Sequence, residues 1–183
     1  MCIRDSSKTV NNYKDIKSRP SLIVELIREL SDIDLTIDET YDFAKDDLRP
    51  YDINEKIKHN EIIKYKEIIN EYGQYSGICE KAFNIIDNNK IGSKRKILMS
   101  ISLLYKKYKG ELLSNNGKET NQNDIEIIRE KSDKMIDIIK NELEDRIEKD
   151  GSNDFYSEEK EIGLYIIICY AFVECKILEK PGV

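Results

Sequence analysis

Backbone breakers and reactive side chains are what this sequence has least of. Only eight glycines and three prolines occur in 183 residues, and tryptophan is absent. Few breakers with long stretches between them favour helices over a β fold built on many turns. The single histidine, His59, removes most nucleophile–base schemes, because a working imidazole needs named partners at contact. Its neighbours Lys56, Lys58, Asn60 and Glu61 make it a surface or edge residue on a charged helix. There is no glycine-rich phosphate loop, no G-x-S-x-G and no H-E-x-x-H. The four cysteines, Cys2, Cys79, Cys169 and Cys175, show no C-x-x-C spacing, so neither a zinc site nor a disulfide framework is indicated. Reduced thiols in a bacterial cytoplasm are the plain reading, with Cys169 and Cys175 packed in the core on one helix. The longest apolar run, Leu164 to Val173, is about half a membrane span, and the first residues lack the apolar region of a signal peptide.

What is present is charge and regularly spaced apolar residues, 36% and 39% of the chain. That spacing argues against disorder despite the polarity. The abundance of Ile, Lys, Asn and Tyr points to an AT-rich bacterial genome. Met1 to Ser6 look like translated sequencing-adapter read-through, the alternative being an ordinary disordered N-terminus. On that reading residues 1–17 are a leader and the chain is a fragment lacking an upstream part.

Ser18-Arg19-Pro20-Ser21 reads as a helix start, followed by Leu22, Ile23, Leu26, Ile27 and Leu30 at helical spacing. Residues 31–50 are rich in Asp, end in Arg49-Pro50 and read as a linker. Residues 18–50 are therefore expected to be a helix plus linker, and 51–183 the main helical domain. A long helical region begins near Asp52 and ends at Asp87-Asn88-Asn89, with Gly73 and Gly77 permitting a kink or a close approach. Further helices are expected at about 93–113, 123–149 and 157–178. The last is apolar nearly all round from Leu164 to Val173, as befits the centre of a bundle. The expected fold class is all-α: an irregular bundle of about four to six helices around a central apolar C-terminal helix.

One charge feature stands above background. Residues 90–110 carry Lys90, Lys94, Arg95, Lys96, Lys106, Lys107 and Lys109 and no acidic residue, which is +7 within a chain of net −6 and leaves −13 for the rest. Lys94, Arg95 and Lys96 open a helix, where cations oppose the macrodipole. That placement points to an acidic partner or a nucleic-acid backbone, against the alternative of a solvated face balancing acidic neighbouring helices. The net charge argues weakly against a general nucleic-acid binder. Tyr72, Tyr105 and Tyr108 suit helix seams, whereas Tyr51 and Tyr75 lie off the main stripes and suit an interface. The doublets Asp46-Asp47 and Glu158-Glu159 point about 100° apart on a helix, so they read as solvated acidic surface rather than Mg²⁺ ligands. No cofactor or metal is expected, and no catalytic residue is assigned.

Several phrases, in order, resemble a known family. They are Leu48-Arg49-Pro50-Tyr51-Asp52-Ile53-Asn54-Glu55-Lys56-Ile57-Lys58-His59-Asn60, then Tyr65 to Tyr72, then Lys94-Arg95-Lys96-Ile97-Leu98 leading into Leu104-Tyr105. Ser132 to Asp137 and the closing Cys169 to Pro181 complete the set. Together they resemble the helical C-terminal domain of effector proteins in ABC-three-component systems, which are bacterial conflict loci. The resemblance runs over about residues 18–181 and rests on order and spacing, since each phrase alone is a helical pattern of common residues. It implies a non-catalytic domain that couples an effector, absent here, to the ABC-type ATPase and middle component of the same locus. Arg49, Tyr51, Lys56, Asn60 and Tyr75, with the basic helix start at Lys94, Arg95 and Lys96, are the expected partner contacts. The alternative is a nucleic-acid-binding helical module of a nuclease, using the basic 90–110 segment. Neither reading involves a membrane, and both place the protein in the cytoplasm.

Overall fold

The computed structural model describes residues 21–35, 52–116, 123–150 and 155–182, and among these the chain is helical with no strand. The helices are α1 (Leu22–Asp32), α2 (Ile53–His59), α3 (Lys66–Tyr72), α4 (Ser76–Asn89), α5 (Ser93–Asn116), α6 (Asp124–Glu130), α7 (Ser132–Lys149) and α8 (Ser157–Val173). A 3₁₀ turn, Gly73–Tyr75, joins α3 to α4. The all-α class expected from the sequence holds, but with more and shorter helices than the four to six anticipated.

Two long helical regions are broken where no glycine or proline signals it. After α2, Glu61 takes a positive φ of 53°. The turn that follows is held by Asp133, whose carboxylate accepts the backbone N–H groups of Ile63 (3.1 Å), Lys64 (3.0 Å) and Tyr65 (3.3 Å). The backbone donors of the turn leading into α3 are thus satisfied from α7, a partner remote in sequence. The 123–149 region divides at Lys131, beside which the Ser132 hydroxyl donates to the Ile128 carbonyl at 3.0 Å. A serine that bonds back onto the preceding turn competes with the regular helix ladder and bends it. Other boundaries follow local chemistry that the sequence displays. Asp52 caps α2 by accepting the Asn54 N–H at 2.9 Å, and Asn123 caps α6 with Glu126 in a capping box. The break expected from Ser114 starts later, since α5 continues to Asn116.

The apolar helix α8 lies at the centre. Gly163, Leu164 and every residue from Ile166 to Val173 are buried, and α8 packs against α1, α3, α4 and α7. Burying a Leu, Ile or Phe side chain contributes roughly 1.5–3 kcal/mol, so this one helix anchors much of the core. Helix α1, expected to go with the linker, contributes Ile23, Val24, Leu26, Ile27 and Leu30 to the same core. It contacts α8 closely at Gly163, where an added Cβ would lie 3.4 Å from Ile27. No helix among the described residues is long and apolar enough to cross a membrane.

Beyond Val173 the chain does not continue the helix to 178. The Lys176 N–H donates to the Ala171 carbonyl (2.8 Å) and the Cys175 N–H to the Phe172 carbonyl (3.1 Å), with Cys175 at φ 54°. This is a Schellman-type ending in which a cysteine occupies the left-handed position that glycine favours. Cys175 is therefore outside the helix and half-buried, and only Cys169 is the packed core thiol expected.

Candidate functional site

Two groups of cationic side chains stand out, and they differ in where they face. The first surrounds the C-terminal segment. Lys56 was expected on a contact surface, yet it is fully buried. The helical register explains this: Ile53, Lys56, Ile57 and Asn60 share one face of α2, and that face turns inward. The Lys56 ammonium donates to the carbonyls of Phe172 (2.5 Å) and Ile177 (2.9 Å) and lies 4.1 Å from the centre of the Phe172 ring. It caps the end of α8, where carbonyls are unsatisfied and the macrodipole favours positive charge. Burial pulls its pKa from 10.5 down to about 8, a fall partly offset by the neighbouring Cys175 and Glu179.

Asn60, also expected at a contact surface, is likewise fully buried. Its side-chain amide donates to the Lys56 carbonyl (2.9 Å) and the Glu179 carbonyl (2.8 Å). Its oxygen accepts the Glu179 N–H at 2.9 Å. The Glu179 carboxylate in turn accepts from Tyr105 (2.5 Å) and Lys109 (2.6 Å) on α5. Burial alone would raise the Glu179 pKa, but these bonds from Lys109 and Tyr105 hold it below the usual carboxylate range. Lys56 and Asn60 are thus internal fasteners of residues 174–180, and their assignment as partner contacts is corrected.

Next to this group, His59 ends α2 with its carbonyl bonded by Arg129 Nε at 2.6 Å and its Nδ1 3.4 Å from Arg129 Nη2. Its Nε2 is buried without a hydrogen-bond partner. Among the described residues no cluster of three or more His, Cys, Asp or Glu side chains is placed to hold a metal ion. Cys79 and Cys169 are buried, and burial pushes the Cys169 thiol up to about 12 and the Cys79 thiol well above its ordinary value. Both are held as unreactive thiols.

The second group lies on α5. Gly92, at φ 80°, allows the tight turn from α4, and the Asp87 carboxylate accepts the Lys94 N–H at 2.8 Å. That carboxylate supplies the negative charge which the N-terminus of α5 needs and its own three cations do not provide. The seven basic residues of the segment then divide. Lys90 pairs with Glu25, Lys94 with Glu80 (2.6 Å) and Lys109 with Glu179 (2.6 Å). These three answer the reading of a charge balanced by acidic neighbouring helices. Arg95, Lys96, Lys106 and Lys107 are exposed and form no ion pair among the described residues.

Between those four cations sit two apolar side chains that sequence reading missed, Met99 at 60% exposure and Leu103 at 67%. They fall outside the inward stripe of Ile97, Ile101, Leu104 and Tyr105, and that misfit was the available signal. Two shallow depressions adjoin at Met99 and Ser102. One, of about 500 Å³, reaches across to Asp87, Glu174 and Lys176, and the other, of about 450 Å³, runs along α5 past Leu103 to Lys106.

Of the other expected contacts, Tyr75 is half-buried against Tyr72, with ring centres 5.9 Å apart, and Tyr72 meets Tyr165 at 5.7 Å. It forms part of an aromatic row along α3 and α8. Arg49 and Tyr51 lie outside the described residues, as do Asp46 and Asp47. Glu159 accepts the Tyr156 N–H at 3.1 Å and so caps α8. The described residues form an all-helical domain in which the solvent face of α5 brings exposed apolar and unpaired basic side chains together. Compared with known proteins, it matches no family model, no curated protein and no solved structure.

Proposed function

We propose that this chain is a non-catalytic protein-interaction domain, coupling an effector to the ABC-type ATPase and middle component of a bacterial antiphage conflict system. The observation that carries the interaction reading is the solvent face of α5, where Met99 and Leu103 lie among four cations without ion pairs. An exposed apolar pair rimmed by unpaired charge is the pattern of a surface that meets a partner. The finer assignment rests on the ordered phrases from Leu48 to Pro181 that resemble the C-terminal domain of such effectors. The domain acts in the cytoplasm on this reading. Lys94, Arg95 and Lys96 remain in the contact set, Lys94 with its charge paired to Glu80, and Arg49, Tyr51 and the half-buried Tyr75 remain candidates. Co-expression of the chain with the ATPase and the middle component of its locus tests the assignment. Co-purification with either is the expected result, and retention of neither overturns it.

A second reading, a nucleic-acid-binding module of a nuclease, is favoured by the same four cations on one helix. It requires affinity for duplex or single-stranded nucleic acid that falls steeply with salt and falls further on reversing Arg95 and Lys96.

A further inference from the structure

We infer that the solvent face of α5 is a docking site for an acidic amphipathic helix of a partner protein, with Met99 and Leu103 as its apolar anchors. The inference rests on the reading of this chain as a protein-interaction domain and supplies the chemistry of the partner. The argument begins with spacing. Met99 and Leu103 stand at i and i+4, so they share one face and project side by side. Arg95 and Lys96 lie four and three residues before Met99, and Lys106 and Lys107 three and four after Leu103. The apolar pair is therefore flanked by a pair of cations one turn away on each side. From Lys96 to Lys106 the face extends about 15 Å at 1.5 Å per residue.

A partner that matches this face presents two apolar residues at i and i+4, with two acidic residues about one turn before and one turn after them. The arrangement on α5 is symmetric about Ile101, so such a helix fits in either direction. The two depressions that meet at Met99 and Ser102 give its apolar side chains somewhere to enter. Two competing occupants fit less well. A second copy placed α5 on α5 by a two-fold axis would bring Arg95, Lys96, Lys106 and Lys107 against their own copies, which is repulsive. A nucleic-acid backbone would use the cations but leave Met99 and Leu103 without an apolar counterpart, in the middle of the track where phosphates want charge.

The test uses the full chain and a designed peptide of about 21 residues, long enough to hold a helix, carrying Glu-Glu, then Leu at i and i+4, then Glu-Glu at the matching spacing. Its control has the same composition in an order that scatters the leucines. Binding is followed by fluorescence anisotropy at two salt concentrations, beside duplex and single-stranded DNA of similar length and beside the protein's own sedimentation. The expected result is binding of the patterned peptide, ~tenfold weaker binding of the scattered control, and a similar ~tenfold loss for Leu103→Glu. Because Leu103 is exposed, circular dichroism and melting of that variant should match the parent. Lys96→Glu with Lys106→Glu is a second variant that should lose the peptide while leaving the core untouched.

Equal binding of both peptides, or none, overturns the inference. So does DNA binding that exceeds peptide binding and ignores Leu103→Glu, which assigns the face to nucleic acid. So does a dimer that Leu103→Glu dissolves in the absence of peptide binding, which assigns it to a second copy. The coupling assignment fails separately. Peptide binding without co-purification of the locus proteins removes the assignment and leaves the face, whereas co-purification that survives Leu103→Glu, with no peptide bound, removes the face and leaves the assignment.

Discussion

Lys56 and Lys96 are the same residue type in similar surroundings of sequence, and the fold uses them in opposite ways. Lys56 is sealed under the turn that follows α8, with two carbonyls and an aromatic ring as its partners. Lys96 stands in solvent on α5 with no ion pair among the described residues. A buried ammonium is costly unless its donors are satisfied, so its surroundings become rigid and specific. An exposed unpaired ammonium costs almost nothing to keep and leaves its charge available to whatever arrives. The contrast separates a region that closes the molecule from a region that opens towards a partner, although both are written in lysine.

The largest effect that sharpens this contrast is expected at Lys56. Replacing it by Ala leaves the Ile177 carbonyl without its donor and the Phe172 carbonyl with only the Cys175 N–H, and opens a cavity under α8, at a cost of ~3 kcal/mol or more in chemical denaturation. Lys96→Ala should leave the same transition unchanged. The Lys56 effect also carries a sign with pH. Its pKa lies near 8 in the fold and 10.5 in the open chain, so between those values the unfolded state holds the extra proton. Stability therefore rises with pH through that window, and the parent should gain on Lys56→Ala by ~3 kcal/mol across it. Measuring both proteins and taking the difference cancels the opposing titration of buried Cys79 and Cys169, which disfavours the fold as unfolded thiols ionise. A flat difference would break the comparison.

Asn60→Ala comes next. It removes both bonds to the Glu179 backbone and the one to the Lys56 carbonyl, for ~2 kcal/mol. Limited proteolysis should then cut residues 174–182 faster than in the parent, while sites on α5 stay as they were. Asp87→Ala deprives α5 of its N-terminal acceptor and should cost ~1 kcal/mol, typical of a lost helix cap. Leu103→Glu should stay within ~0.5 kcal/mol of the parent because that side chain is mostly exposed. A large loss there would mean that the face is structural.

How much of this was legible varied with what each feature depends on. The central position of α8 was plain, because an unbroken apolar run from Leu164 to Val173 has only one comfortable place to go. The helix starts near Asp52 and Asn123 were legible from local sequence, and the structure adds the caps that fix them. The burial of Lys56 and Asn60 was readable in principle, since both fall on the face of Ile53 and Ile57. Residue chemistry spoke against it, and the partners that justify it, Phe172, Ile177 and Glu179, lie more than 115 residues away. Nothing near Glu61 in sequence announces the helix break there, because the Asp133 carboxylate that holds the turn comes from another helix, and at Lys131 the one local sign is the neighbouring Ser132. The basic stretch on α5 was visible as a run of charge, but which of its members are paired depends on Glu25, Glu80 and Glu179 arriving from three different elements.

The placement of α8 has a consequence for how the chain is made. The helix that fills the middle follows every other described helix in synthesis order, and the clasp joins residue 56 to residue 177 across 121 positions. Until α8 has been made, α1, α3, α4 and α7 lack the helix they share as a packing centre. Closure of the core therefore waits on residues 164–177 and on a few contacts of very long sequence separation, which set it later than the formation of the earlier helices.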